Sequence, residues 1–169
     1  GATPMQTLLL SGVVVSAVLG SLLMFLVSLS TAEEVHNVLW WLLGNLQIFD
    51  VPLLVLVAVV VVAGILLAAL RARDLNVMTL GEEPAAHVGL NVERAKFFFF
   101  VLASLITGAV VSACGLIGFV GLIVPHAMRL IVGPDHRRLL PASALAGAAF
   151  MVLADAFGRS VIAPRDIPV

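Results

Sequence analysis

VPLLVLVAVVVVAGILLAAL, residues 51–70, runs for twenty residues without a charged or hydrogen-bonding side chain, between Asp50 and Arg71. A helix rises 1.5 Å per residue and needs about 20 residues to cross a hydrocarbon layer of roughly 30 Å, so this run has the length of one membrane span. Outward from it, Asp, Glu, Lys and Arg are also missing from residues 1–32, 97–128 and 139–154. The 97–128 gap is too long for one helix and divides at Gly115, where glycine permits a tight turn. Five spans result, at about 6–29, 51–70, 95–113, 115–132 and 141–160. The fold class expected is all-α, a polytopic helical membrane protein.

Composition points the same way. Of 169 residues, 62% are apolar, and nine Lys plus Arg stand against ten Asp plus Glu. A soluble domain of this size has too little interior to hide so much apolar surface, which makes the lipid bilayer the solvent. The net charge of −1 excludes the basic footprint of a nucleic-acid binder. Cys114 is the sole cysteine, so neither an internal disulfide nor a multi-cysteine metal site can form, and neither a metal nor a cofactor is expected.

Charge also sets the sides. With five spans, Arg71, Arg73, Arg94, Lys96, Arg129, Arg137 and Arg138 share one face and Arg159 and Arg165 the other, seven to two; four spans reduce this to six to three. The 71–94 and 133–140 loops are therefore expected in the cytoplasm and residues 30–50 outside. That external segment carries Glu33, Glu34 and Asp50 without Lys or Arg, Trp40 and Trp41 for the interface, and Val35, Leu39, Leu42 and Leu43 at the spacing of a short interfacial helix. Residues 6–29 lack the basic start and cleavage motif of a signal peptide.

Small residues mark packing faces. Gly12, Ser16 and Gly20 recur every fourth residue, and Gly108, Ser112 and Gly115 nearly do, the pattern of close helix contact. Ser11, Gly12 and Ser16 would alternatively line a wide pathway. The fourth span carries Gly118 and Gly121, a kinking Pro125, and His126, expected to bond a carbonyl that the kink frees.

Residues 71–94 hold more than a connector needs. Asp74 or Asn76 can cap one short helix, Gly81 interrupts it, Glu82, Glu83 and Pro84 suit the first turn of a second, and Gly89 suits its end. Thr79 with Glu82 matches a capping box. Such a segment either docks a soluble partner or lies on lipid headgroups.

LNVMTLGEEPAAHVGLNV (75–92) and GLIGFVGLIVPHAMRLIVGPDHRRLLPASALAGAAFMVLADAFGRSVIAPRDIPV (115–169) resemble the FecCD/BtuC-type permease family of ATP-binding-cassette importers for iron-siderophores, haem and cobalamin. The most specific pieces are Leu80-Gly81-Glu82, Gly118 through Leu122, Pro125-His126, Arg129, Asp135-His136-Arg137, Leu140-Pro141, Ala154-Asp155, Arg159 and Ile167-Pro168. The resemblance implies a transmembrane permease subunit of a larger protein of about ten spans, working as a homodimer with a second permease copy. It implies a cytoplasmic ATPase subunit seated on the Leu-Gly-Glu loop, with Asn76, Met78, Leu80, Gly81, Glu82 and Glu83 in the coupling contact. It also implies a periplasmic or lipoprotein substrate-binding protein met by Arg159, which Asp155 holds in place four residues earlier. The membrane implied is the cytoplasmic (inner) membrane of a bacterium or archaeon. Starting at Gly1 and lacking a counterpart of the family's first half, the sequence is expected to be the C-terminal half of such a permease.

Three other functions weigh less. An ion-coupled secondary transporter needs carboxylates or broken helices near mid-membrane, and Asp155 is the sole acid inside an expected span. An enzyme needs a nucleophile with its base or a metal cluster, and neither His-Glu-x-x-His nor Gly-x-Ser-x-Gly occurs. A non-transporting membrane scaffold fits the composition but gives the coupling motif no work. No phosphate-binding Gly-x-x-x-x-Gly-Lys-Ser/Thr loop is present, so ATP hydrolysis is expected in a separate subunit.

Overall fold

The computed structural model describes residues 5–47 and 50–162, and among them every regular element is a helix: α1 (Met5–Ser28), α2 (Ala32–Leu42), α3 (Val51–Leu70), α4 (Ala72–Met78), α5 (Glu82–His87), α6 (Val92–Cys114), α7 (Val120–Val132) and α8 (His136–Ile162). The chain divides into two units, Gly1–Leu43 and Gly44–Val169.

In the first unit, α1 has 24 residues, about 36 Å of helix, and exposes apolar side chains along its described length. α2 starts at Ala32, just ahead of the apolar spacing that announced it. Thr31 and Glu34 form a reciprocal cap: the Glu34 carboxylate accepts from the Thr31 amide at 2.8 Å, and Thr31 Oγ1 accepts from the Glu34 amide at 3.4 Å. The Thr31 amide, and the Thr31 hydroxyl that also donates to Glu34 Oε2 at 3.1 Å, favour the ionised acid and hold Glu34 below the usual carboxylate range. One turn further on, Trp40 Nε1 donates to His36 Nε2 at 2.6 Å.

In the second unit, α3 and α6 pack side by side, α7 packs on α8, and α8 also touches α3 and α4. α3 keeps the bounds of the apolar run, with Asp50 Oδ1 capping the Leu53 amide at 3.4 Å. α6 begins at Val92 rather than 95, because Asn91 caps it through the Arg94 amide at 3.0 Å. α8 begins at His136 rather than 141 and continues through Pro141.

The largest departure is at the fourth expected span. Gly115, with φ 73° and ψ −161°, ends α6, and residues 115–119 are not helical. α7 starts only after Phe119, which has the left-handed φ of 66°. Its 13 residues make about 20 Å of helix, against about 30 Å or more for each of α1, α3, α6 and α8. The non-helical stretch lies beside residues 44–47: the Asn45 amide donates to the Cys114 carbonyl at 2.8 Å, and a Cβ on Gly44 would meet the Leu116 carbonyl oxygen at 2.9 Å.

Burial is concentrated at one end of this unit. Ala72, Ala85, Ala95 and Leu139, at 1%, 0%, 4% and 5% exposure, all lie where α4, α5 and the first turns of α6 and α8 meet. Along the spans proper, Val57, Leu102 and Val124 are buried and most large apolar side chains are open.

Candidate functional site

The junction of α4, α5, α6 and α8 brings together the residues expected to couple to an ATPase. α4 follows α3 across a single residue, Arg71, which ends one helix and starts the next. The Arg71 guanidinium sits 4.2 Å from the centre of the Phe98 ring on α6.

Neither Asp74 nor Asn76 caps α4, which has no side-chain cap at all. Asn76 lies in its last turn, and its amide reaches across to the start of α8. Nδ2 donates to Asp135 Oδ1 at 2.6 Å, Oδ1 accepts from the His136 backbone amide at 2.8 Å, and His136 Nδ1 stands 2.8 Å from the same oxygen. Asp135 in turn starts α8, its side chain accepting from the Arg137 amide at 3.0 Å and its carbonyl from Arg138 and Leu139 at 3.0 and 2.8 Å. The Asn76 bond, the Arg137 amide and the charges of Arg137 and Arg138 hold the Asp135 carboxyl below its usual range.

The expected Thr79–Glu82 capping box does not form. Thr79 Oγ1 donates instead to the Asn76 carbonyl at 2.6 Å, Gly81 takes the cap position of α5 without a side-chain cap, and Glu82 pairs with Lys96 on α6. Gly81 wins that position because it alone accepts φ 108° without strain. Its surroundings are open, the nearest neighbour of an added Cβ being Pro84 Cδ at 3.5 Å, so substitution there acts through backbone angle and not crowding. α5 ends in a left-handed Gly89: the Gly89 and Leu90 amides bond back to Ala86 and Ala85 at 3.0 and 3.1 Å, a Schellman closure.

The resulting surface presents Leu80, 66% exposed, with exposed Glu82 and Glu83 beside it. Met78 and Val77 are half-buried, so Leu80 is the apolar side chain that stands clear at the turn.

Other expected sites are placed less tightly. Gly12 and Ser16 line a shallow groove on α1 with Leu9, Val13 and Ala17; Ser11 is not among its lining residues. Gly115 is buried, whereas an added Cβ at Gly12, Gly20 or Gly108 meets nothing within 4 Å, so these three glycines make no close contact within the described residues. That role falls to Gly64, missed in the sequence, where a methyl group would overlap Ile106 as α3 and α6 cross. Gly118 and Gly121 likewise face open space, and Arg129 is exposed. His126 is exposed and its side chain takes no hydrogen bond among the described residues, in contrast to the carbonyl bond expected from the Pro125 kink; water can serve an exposed imidazole in place of that carbonyl. Asp155 lies half-buried on α8, and the side chain of Arg159, its expected partner, lies outside the described residues. No group of three or more metal-ligating side chains occurs among the described residues.

The model of the FecCD transport family matches residues 1–169. Over 163 residues the chain is 50% identical to the cobalamin import system permease BtuC of Halobacterium salinarum, covering 95% of this chain and 43% of that protein. It is 40% identical over 166 residues to the Fe(3+) dicitrate permease FecD of Escherichia coli (98% and 52%) and 36% identical over 162 residues to the hemin permease HmuU of Yersinia pestis (96% and 48%). A solved inward-facing structure assigned to the metal-chelate type of ABC transporter superposes with a TM-score of 0.89 at 29% identity, over 98% of this chain and 54% of that one. The chain thus spans about half the length of the relatives it matches.

Proposed function

Since the chain belongs to the FecCD transport family, we propose that it is part of the transmembrane permease subunit of an ATP-binding-cassette importer that carries a metal chelate of the iron-siderophore, haem or cobalamin kind into the cell. The permease itself catalyses nothing; a separate cytoplasmic ATPase hydrolyses ATP, a substrate-binding protein delivers the cargo, and a second permease copy completes the pathway. Three relatives named as permeases for cobalamin, hemin and ferric dicitrate support the cargo class.

The observation that carries the mechanism is the exposed Leu80-Gly81-Glu82 turn between two short helices whose bases are buried and bonded to two long ones. Power supplied by a separate subunit needs a stiff element to receive it, and short helices fixed at both ends are stiffer than open loop. In this reading Leu80 seats in the ATPase, Gly81 sets the turn, and Glu82 and Glu83 meet basic groups there, with Asn76 and Met78 holding the turn from inside. Ser11, Gly12 and Ser16 face the transport pathway, and Arg159 meets acidic groups on the binding protein.

The topology proposed has five crossings, with the 71–94 and 133–140 loops in the cytoplasm of a prokaryotic inner membrane. α7 is too short to cross alone. Residues 115–119, at up to about 3.3 Å per residue, add enough length to complete a broken crossing. Such non-helical backbone is tolerated at membrane depth where protein or a water-filled cavity covers it.

The test uses the full-length permease containing this chain, with its ATPase, in proteoliposomes offered cyanocobalamin, hemin or ferric citrate in turn. ATP-driven uptake of one of them is expected, with Gly81→Val and Glu82→Lys inserting normally but failing to transport or to retain the ATPase. Normal uptake and ATPase association in both variants would return the 71–94 segment to a headgroup-lying loop.

A further inference from the structure

Besides the Arg71–Phe98 contact at the start of α4, two polar side-chain links among the described residues tie the short helices to the long ones, and they differ in kind. Glu82–Lys96 joins the first turn of α5 to α6, but both side chains are about half exposed, where water competes and an ion pair fixes little. Asn76 is half-buried and makes its bonds to Asp135 and His136, 59 and 60 residues away in sequence, with both halves of its amide in use. A planar amide that donates on one side and accepts on the other holds two helices at one orientation, which a lone charge on a flexible stem cannot do.

We propose that Asn76 is a positioning residue, a joint that delivers displacement of α4 directly to the first turn of α8. The proposal rests on the coupling role given to α4 and α5 above. Asn76 therefore faces inward to α8 and does not touch the ATPase. α8 packs along α7 and α3, so a rotation imposed at its first turn is carried up the bundle. α5, packed through Ala85 but joined to a long helix by an exposed ion pair and not by a two-sided amide, follows the ATPase more loosely.

The chemistry of the joint supplies its own control. Asn76→Asp removes the donor and sets two carboxylates against each other. Combining Asn76→Asp with Asp135→Asn restores the bond between the two side chains with the polarity reversed: the amide, now at position 135, donates to the carboxylate at position 76, which still accepts from His136, while the Arg137 amide loses its side-chain acceptor. Spin labels on exposed Arg73 (α4), Arg94 (α6) and Arg138 (α8) of the full-length transporter report helix separations before and after MgATP with vanadate. In the otherwise unaltered protein, both the Arg73–Arg94 and the Arg138–Arg94 distances are expected to shift. In Asn76→Asp the first shift persists and the second is lost, and the double variant recovers it. If Asn76→Asp fails to reach the membrane, Asn76→Ala makes the same comparison without adding charge. An α8 shift that survives loss of the amide, or that the double variant fails to recover, overturns the joint. Absence of any α4 shift in the unaltered protein would instead overturn the coupling role on which it stands, a separate result.

Discussion

The spans of the second unit and the junction at their end obey different rules. Along α3, α6 and α8 at most about a tenth of each apolar window is buried, because lipid or further protein is meant to cover the rest. At the junction, Ala72, Ala85, Ala95 and Leu139 are almost fully enclosed and side chains 59 and 60 residues apart in sequence are hydrogen-bonded. A span gains little by burying leucine against leucine when the tails outside are equally apolar, so helices there meet through small residues such as Gly64. The junction, which the proposed topology puts outside the hydrocarbon, then has the hydrophobic effect available and uses small alanines to bring backbones close. The chain carries its own core where force is proposed to enter it and leaves its spans to be covered by others.

The sharpest way to break this contrast is to overfill the junction. Ala85→Leu, at a fully enclosed position, should destabilise the protein by about 1–3 kcal/mol. The opposite change on a span, Leu145→Ala at 74% exposure, should cost under about 0.5 kcal/mol. Thermal unfolding in detergent reads both, and equal losses would erase the distinction.

Within the spans, Gly64→Ala should destabilise, because its methyl overlaps Ile106, while Gly108→Ala, with open space around it, should stabilise by about 0.5–1 kcal/mol through helix propensity. Opposite signs in the same unfolding assay sharpen the rule that only one of these glycines is a contact.

Acid provides a gentler probe of the junction. Asp135 titrates below its ordinary value of 3.8 because its ionised form is hydrogen-bonded, so its contribution is present above that pH and is lost as pH falls through the lowered value. The Tm deficit of Asp135→Asn should therefore be visible at pH 7 and close below about pH 3.8. A deficit independent of pH would mean that the charge is not what the joint uses. Smallest of all, Glu82→Gln should change Tm little, since the pair it makes with Lys96 is exposed and worth about 0.2–1 kcal/mol.

How far the sequence could be read follows the same division. α3 came out with its own bounds, since twenty apolar residues between Asp50 and Arg71 leave no choice, and α1 within about one residue at each end. The two short helices and Gly89 as the end of the second were legible from glycine, proline and acidic positions. The start of α7 was not. Hydropathy continues through residues 115–119, and the break depends on a phenylalanine held in a left-handed conformation that composition does not announce. The caps at Thr79 and Asn76 were misread because a local pattern competes with tertiary partners: Asn76 was claimed by residues 59 and 60 positions away, and Glu82 by Lys96, 14 away. Lys96, Asp135 and His136 escaped as site residues although Asp135-His136-Arg137 stood out as a motif.

The most direct measurement places a photo-reactive benzoyl-phenylalanine at Leu80 in the full-length permease and, as a control, at Leu145 on the exposed face of α8. Irradiation of membranes is expected to join position 80, but not position 145, covalently to an ATP-binding subunit identified by mass spectrometry. Adducts at position 80 with lipid alone would contradict the coupling role of the α4–α5 turn.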